Sequence, residues 1–188
     1  ARLGTWDLGP LRERADLAPL FWLALAGSGV KAGLFPLHIW LPAAHANAPS
    51  HVSALLSGVM LKMGIYGILR FVLFFAAPPW WWGVTLVAVG TVSAVLGIVF
   101  AASQGDVKRL LAYSSIENVG IILLGLGLAL AGRATGRADW VLLGMAGCLF
   151  HVWNHALFKS LLFLGAGAVV PATGTRDRER LGGRARRM

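Results

Sequence analysis

The chain has 188 residues, of which 57% are hydrophobic and only 13% are charged, and its formal net charge is +9. Soluble globular domains carry about 25% charged residues, so this composition excludes that class and indicates a membrane protein. Most basic residues lie at the ends of apolar runs or in segment 176–188, with no aromatic residues interleaved, which does not favour nucleic-acid binding. Cys148 is the only cysteine, which excludes a disulfide, a cysteine-rich metal site and an iron–sulfur cluster held by this chain alone.

Five apolar runs are long enough to cross a bilayer, since about 20 helical residues span a hydrocarbon core of ~30 Å. Their limits are 17–37, 52–75, 80–102, 110–131 and 140–170. We therefore predict an all-α fold, a polytopic transmembrane helix bundle of about five spans. An odd number of spans places the two ends of the chain on opposite sides of the membrane.

The first run contains residues that weaken a helix. Pro36 cannot donate to the carbonyl of Ala32, its ring crowds that turn, and Gly29 and Gly33 lower helix stability nearby. We therefore predict a bend or break just after Lys31. Broken helices at membrane depth are typical of transporters, where the freed backbone lines protein or water. The loop that follows contains His38, His45 and His51.

The flanking charges predict the orientation. Three tryptophans, 80 to 82, open the third run and are typical of an aromatic belt at the headgroups. Basic residues fall into two groups on opposite sides, Arg2, Arg12, Arg14, Arg70, Arg133 and Arg137 against Lys108, Arg109 and the six arginines of 176–188. The positive-inside rule favours a cytoplasmic second group. We predict a transmembrane domain over 1–175 and a basic cytoplasmic tail or loop over 176–188, in a piece of a longer protein.

Apart from the segment 151–159, three charged residues lie well inside predicted spans, Lys31, Lys62 and Glu117. A mid-membrane Lys or Asp costs about 2.5 to 3.5 kcal/mol on insertion scales, so such residues pair, face cavities or carry function. Lys62 has apolar-rich sequence on both sides and cannot easily reach an interface, whereas Lys31 is nearer an edge, where snorkelling is the alternative. Glu117 is either an anionic partner for one of these lysines or a structural hydrogen bond between helices.

The segment HVWNHALFK, residues 151–159, places His151, His155 and Lys159 four residues apart, on nearly one face of a helix. A metal site is disfavoured, because the zinc motif needs a Glu after the first His, where Val152 stands, and because Lys159 is cationic. Haem ligation normally takes its histidines from facing helices. A proton wire fits better, since neutral imidazole accepts a proton at one nitrogen and donates one at the other, with an ordinary pKa near 6.5.

Three stretches resemble a known family. They are KAGLFPLHIWLPAAHANAPSHVSALLSGVMLKMGIYGILRF (31–71), GDVKRLLAYSSIENVGIILLGLG (105–127) and HVWNHALFKSLLFLGAGAV (151–169). In order and spacing they resemble the antiporter-like, proton-pumping membrane subunits shared by respiratory complex I, Mrp-type sodium/proton antiporters and membrane-bound hydrogenases. The pattern SSIEN and the tail TGTRDRERLGG are similar to the hydrogenase-4 and formate hydrogenlyase branch. Complex I forms commonly have Ser and His where Glu117 and Asn118 stand.

The resemblance implies an antiporter-like fold with a partial inverted repeat. It implies that Lys31 is the central base of a first proton half-channel, whose partner glutamate lies upstream of Ala1. By the same resemblance Lys62 links the two half-channels, and the basic line of the second half is formed by His151, His155 and Lys159. Together with Glu117, these are the residues that we expect to transfer protons.

The function expected is that of a proton-translocating membrane subunit of a redox-driven complex, of the hydrogenase-4/formate hydrogenlyase or NADH:quinone oxidoreductase type. A monovalent cation/proton antiporter subunit without redox coupling is the alternative, and a scaffold with polar residues used only for helix packing comes third. We expect no catalytic residue, no cofactor and no metal in this chain. The expected partners are other membrane and peripheral subunits and the lipid bilayer, without nucleic acid, in the bacterial inner membrane as a multi-pass protein.

Overall fold

The computed structural model of the chain describes residues 19–181. Within that range the regular structure is helical, and the extended backbone pairs only in an isolated bridge between Asp106 and Asp177. The helices are α1 (Leu20–Ala32), α2 (Trp40–Asn47), α3 (Ser50–Leu55), α4 (Leu61–Leu73), α5 (Trp80–Ala102), α6 (Val107–Thr135) and α7 (Ala138–Thr173). A π-helical turn, Leu56–Met60, joins α3 to α4, and a 3₁₀ turn covers Arg178–Leu181. The predicted all-α fold is confirmed.

Among the described residues, four helices are long and apolar enough to span a membrane, namely Ser50–Leu73, Trp80–Ala102, Val107–Thr135 and Ala138–Thr173. The predicted run 80–102 has the limits of α5. Runs 110–131 and 140–170 were drawn too short, because α6 and α7 continue into polar residues at both ends. Asp106 begins α6 by accepting hydrogen bonds from the backbone N–H groups of Lys108 (2.8 Å) and Arg109 (3.1 Å).

The predicted break after Lys31 is confirmed, and the single helical run 17–37 is wrong. α1 ends at Ala32 because Gly33 adopts the left-handed conformation (φ 75°), where its N–H donates to the carbonyl of Val30. The chain then runs without helix to α2, and the backbone N–H of Phe35 donates to the Ser93 hydroxyl of α5 (3.0 Å). α1 alone is short for a span, so α1, the break and α2 together make one crossing.

Contacts between helix ends define two surfaces of the bundle. At the first surface, the Arg133 guanidinium at the end of α6 donates to the Phe75 carbonyl after α4 (3.0 Å), and Phe21 of α1 stacks on Trp82 of α5. At the second surface, the backbone N–H of Arg178 after α7 donates to the Gly105 carbonyl between α5 and α6 (2.9 Å). The described residues begin at the first surface, with α1, and end at the second, with Arg178–Leu181.

α5 and α6 pack with their backbones in close contact through glycines. A methyl group added to Gly90 would lie 2.8 Å from the Gly120 carbonyl oxygen, and one added to Gly97 would lie 2.5 Å from the Glu117 nitrogen. Small residues at a helix interface permit this approach in membrane proteins. The contact at Gly97 places Glu117 on the α5 side of α6.

Candidate functional site

Lys159 lies at the centre of a polar cluster between α6 and α7. Only 2% of its surface is exposed, and it lies in a mostly apolar stretch of α7. Its Nζ donates to the Leu111 carbonyl (3.1 Å) and to the Ser114 hydroxyl, both on α6. An ammonium group buried among helices is costly unless its donors are satisfied, and α6 supplies two acceptors here.

His155 and His151 continue along the same face of α7, as the spacing predicted. Their rings are nearly parallel, with an interplanar angle of 6° and centroids 6.3 Å apart. His155 is fully buried, and neither of its ring nitrogens has a hydrogen-bond partner among residues 19–181. A direct hydrogen bond needs heavy atoms about 3 Å apart, so a proton moving between these rings requires a ring rotation or a bridging water.

Asn118 of α6 orients the His151 ring. Its Nδ2 donates to the Ser114 carbonyl (2.7 Å), which turns Oδ1 toward His151 Nε2 at 2.9 Å. Because that oxygen only accepts, His151 donates through Nε2 in this arrangement. The neutral ring then keeps Nδ1 as its proton acceptor.

Lys62 follows the π-helical turn, and its Nζ donates to the Ser57 carbonyl within that turn. π-helical turns are rare and occur frequently at functional sites. The Ser57 hydroxyl lies 2.9 Å from the Ser115 hydroxyl of α6, which in turn donates to the Leu111 carbonyl (2.9 Å). Leu111 also accepts from Lys159. Lys62 and Lys159 therefore flank the same polar groups, the carbonyls of Ser57 and Leu111 and the hydroxyls of Ser57 and Ser115. Because both carbonyls only accept hydrogen bonds, these contacts are not a continuous proton wire.

Glu117 is half-buried on α6, and its charge acts on Lys159. Its carboxylate makes no hydrogen bond to any residue in the part of the chain that the structure describes. The Lys62 and Lys159 charges also act on each other. The Glu117 charge therefore offsets that of Lys159, whereas no carboxylate in the described range acts on Lys62.

Lys31 does not join this cluster. It lies exposed on the outer face of α1, just before the break, and no side chain in the described range hydrogen-bonds to it. The six sequence-predicted residues thus divide into five that lie in the α4, α6 and α7 region and one that points out of it.

Sequence reasoning missed four residues of this site, Ser57, Ser115, Asn118 and His45. Ser57 carried no sequence signal, and Ser115 and Asn118 were visible only as polar residues near Glu117 in the fourth predicted run. His45 was visible in a histidine-rich loop, and the structure buries it completely, stacked on Phe163 of α7 with centroids 4.5 Å apart. The sequence of this stretch could not show the contact, because it depends on where α2 lies against α7 after the break.

The fold and the cluster define a class of protein, a multi-pass membrane protein with protonatable side chains lined up inside its helix bundle. The family model described as NADH:quinone oxidoreductase/Mrp antiporter, transmembrane, matches residues 12–188. The chain belongs to this family, as the resemblance implied. With the four long apolar helices, this confirms the predicted location as a multi-pass protein of the bacterial inner membrane.

Individual relatives agree with the predicted branch. The chain is 52% identical to hydrogenase-4 component B of Escherichia coli (strain K12) over 172 residues, which cover 90% of this chain and 26% of the relative. It is 46% identical to formate hydrogenlyase subunit 3 of the same organism over 191 residues, covering 100% of this chain and 31% of the relative. The chain therefore spans between a quarter and a third of the length of these curated relatives.

A solved structure has the same arrangement of helices. The membrane-bound sulfane sulfur reductase, an archaeal respiratory membrane complex, contains a chain that matches with a TM-score of 0.69 and 32% identity. The match covers 84% of this chain and 26% of that one. The relatives are components of multisubunit membrane complexes by their names, which confirms the coarse form of the partner prediction.

Proposed function

We propose that the chain is part of a proton-translocating subunit, in which protons move along Lys62, Lys159, His155 and His151 with Glu117 as the anionic partner. The observation that carries this proposal is that Lys62 and Lys159, two protonatable groups inside the bundle, flank one set of polar groups on Ser57, Ser115 and Leu111. Structural hydrogen bonds between helices need no titratable group at both ends. Here an ammonium group stands at each end.

The charge balance of the cluster favours proton sharing over fixed ion pairs. The charges of Lys62 and Lys159 act on each other, and the Glu117 charge acts on Lys159, so a proton held at one lysine affects the other. A change in the field from outside would move the shared proton from one lysine to the other. The Ser57 and Ser115 hydroxyls can both donate and accept, whereas the Ser57 and Leu111 carbonyls only accept, so transfer between the lysines needs a bridging water or a side-chain movement.

Lys31 has a separate role in this proposal. Its exposed position on α1 leaves its side chain directed away from the described bundle, where a carboxylate from another part of the full-length protein can pair with it. We propose that this carboxylate belongs to a part of the full-length protein outside residues 19–181. Lys31 would then load protons that Lys62 receives.

We propose redox coupling as the driving force, with other membrane and peripheral subunits of a hydrogenase or complex I-like assembly as partners. The branch supports this, because the relatives named above are components of hydrogenase-4 and formate hydrogenlyase. The second candidate function is a cation/proton antiporter subunit, which the family description also includes. In both cases we propose that the second surface faces the cytoplasm.

The test uses the full-length protein in its assembled complex, reconstituted into vesicles. Lys159→Met removes the ammonium group at the centre of the cluster, and we expect proton uptake to fall by about a hundredfold or more. Arg109→Met is the matched control, because Arg109 is an exposed cation at the start of the same helix α6. Unchanged uptake in an assembled Lys159→Met complex would exclude the proposed path. Sodium dependence of uptake separates the antiporter from the redox-driven pump.

A further inference from the structure

The C-terminal end of α2 is held at the second surface by two cations from distant parts of the chain. Lys108 Nζ, on α6, donates to the Ala48 carbonyl (2.8 Å), and Arg176 Nη1, after α7, donates to the Ala46 carbonyl (2.7 Å). The last carbonyls of a helix have no partner inside it. Positive charge is favourable there because it opposes the helix dipole, so both contacts stabilise the end of α2.

The Lys108 side chain is buried and makes its hydrogen bond to α2. Only 5% of its surface is exposed, although it lies in the first turn of α6 next to polar loop residues. The carboxylate of Asp106 is directed to the backbone N–H groups of Lys108 and Arg109. The Lys108 ammonium therefore reaches across to α2, while Arg109 beside it is exposed.

Arg176 lies in a segment that makes two backbone hydrogen bonds to the residues between α5 and α6 and at the start of α6. The Arg176 carbonyl accepts from the Val107 backbone N–H (3.0 Å), and the Arg178 backbone N–H donates to the Gly105 carbonyl (2.9 Å). The turn between α5 and α6 and the segment after α7 thus form one support for α2.

His45 lies in the last turn of α2, the helix end that Lys108 and Arg176 hold. Its carbonyl accepts from the Ser53 hydroxyl (3.3 Å), and its ring stacks on Phe163 with an interplanar angle of 13°. Phe163 is one turn beyond Lys159 on the same helix, and the charges of Lys159 and Lys108 both act on the His45 ring. A protonatable ring therefore stands within electrostatic range of the central lysine and of the lysine at the second surface.

Packing alone does not explain His45. The ring is fully buried, and neither nitrogen has a hydrogen-bond partner within residues 19–181. Burying polar atoms without partners is unfavourable, and such groups in native proteins call for an explanation such as a proton-transfer role or a water. A phenylalanine would stack on Phe163 without that penalty.

We infer that His45 is a further proton-transfer residue, connecting Lys159 to the second surface, and that Lys108 and Arg176 are positioning residues that hold it there through the carbonyls of α2. This inference rests on the proposed function. It extends the path from the middle of the bundle to one of its surfaces, through a half-helix that exists because the chain breaks after Lys31.

The first test replaces His45 in the full-length protein, within its assembled complex in vesicles. His45→Phe keeps the ring stack on Phe163, and His45→Gln keeps a polar group, but neither side chain can carry a proton. We expect proton flux driven by an imposed membrane potential to fall at least about tenfold in both. If either variant assembles and conducts like the wild type, His45 is not on the path.

The second test asks whether Lys108 acts through His45. Lys108→Met removes the donor, Lys108→Arg keeps one, and Arg109→Met is the control that removes a neighbouring charge. We expect a several-fold loss for Lys108→Met, recovery in Lys108→Arg to about half the wild-type flux or more, and no change for the control. In a His45→Phe background, Lys108→Met should cause no further loss, because coupled residues are not additive. Losses that multiply would overturn the positioning role.

Lys159→Met separates the two proposals. If it abolishes flux while His45→Phe does not change it, the path holds and the inference about His45 fails. If Lys159→Met itself has no effect, the proposed function fails and His45 loses its role with it. Arg176→Met, compared with the exposed Arg178→Met, repeats the positioning test at the second cation.

Discussion

The His151 ring and the Asn118 carboxamide lie 2.9 Å apart across the α6–α7 interface. Because Asn118 is itself fixed by the Ser114 carbonyl, it determines which nitrogen of His151 carries the proton. The orientation of one imidazole is therefore set by an amide that cannot titrate.

Replacing Asn118 with Leu should impair both stability and transfer. The change leaves His151 Nε2 without its acceptor, which costs about 1 to 3 kcal/mol for a buried group, and it lets the ring choose either tautomer. We expect a lower melting temperature of the complex and slower proton uptake in vesicles. Asn154→Leu is the control, since Asn154 is exposed on α7. Normal uptake in the Asn118 variant would show that the tautomer is irrelevant.

Removing the Ser115 hydroxyl should disconnect Lys62 from Lys159. Ser115→Ala deletes the group that both contacts Ser57 and donates to Leu111, whereas Ser115→Thr retains a hydroxyl. We predict that uptake falls by about tenfold in the first variant and largely returns in the second. Ser103→Ala, at an exposed serine after α5, controls for vesicle quality. Equal uptake in the alanine and threonine variants would argue for water as the connection.

Glu117→Gln distinguishes the two interpretations of this residue. Glutamine keeps the size and the hydrogen-bonding capacity of the side chain but removes its charge. If Glu117 balances Lys159, uptake should decrease by about tenfold or more, and Glu117→Asp should retain part of it. If its role is a hydrogen bond between helices, the glutamine variant will resemble the wild type in both assembly and uptake.

Gly90→Ala should weaken the α5–α6 contact. The added methyl group would lie 2.8 Å from the Gly120 carbonyl oxygen, so the helices must separate. Overpacking of this kind typically costs about 1 to 3 kcal/mol, and thermal unfolding of the purified complex should report it. Gly147→Ala provides the comparison, because a methyl group there meets nothing within 4 Å. A Gly90 variant as stable as the Gly147 variant would contradict this account of the interface.

The sequence was sufficient for features that depend on one helix at a time. α5 was predicted to the residue because it is apolar throughout and preceded by two prolines. The break after Lys31 followed from Pro36 and the nearby glycines, and the shared face of His151, His155 and Lys159 followed from helical periodicity.

Features that depend on two helices could not be predicted. The contact between Ser57 and Ser115 requires the relative height of α3–α4 and α6, which no periodicity within either helix encodes. Lys108 was expected to be one of several solvated surface charges, but its stem crosses to α2 and its ammonium caps a helix. Whether Lys31 faces the other lysines depends on which face of α1 packs against α4, and in the structure Lys31 lies exposed just before the left-handed Gly33.

The atom at which Lys159, Ser114 and Ser115 converge is the main-chain oxygen of Leu111. Every amino acid carries that oxygen, so no substitution at position 111 deletes the junction as long as α6 keeps its helical course. Alanine scanning will not detect the role of this carbonyl oxygen, and variation among homologues at position 111 will not reveal it either. Only a backbone change, such as an ester in place of the amide that follows Leu111, can weaken this acceptor chemically.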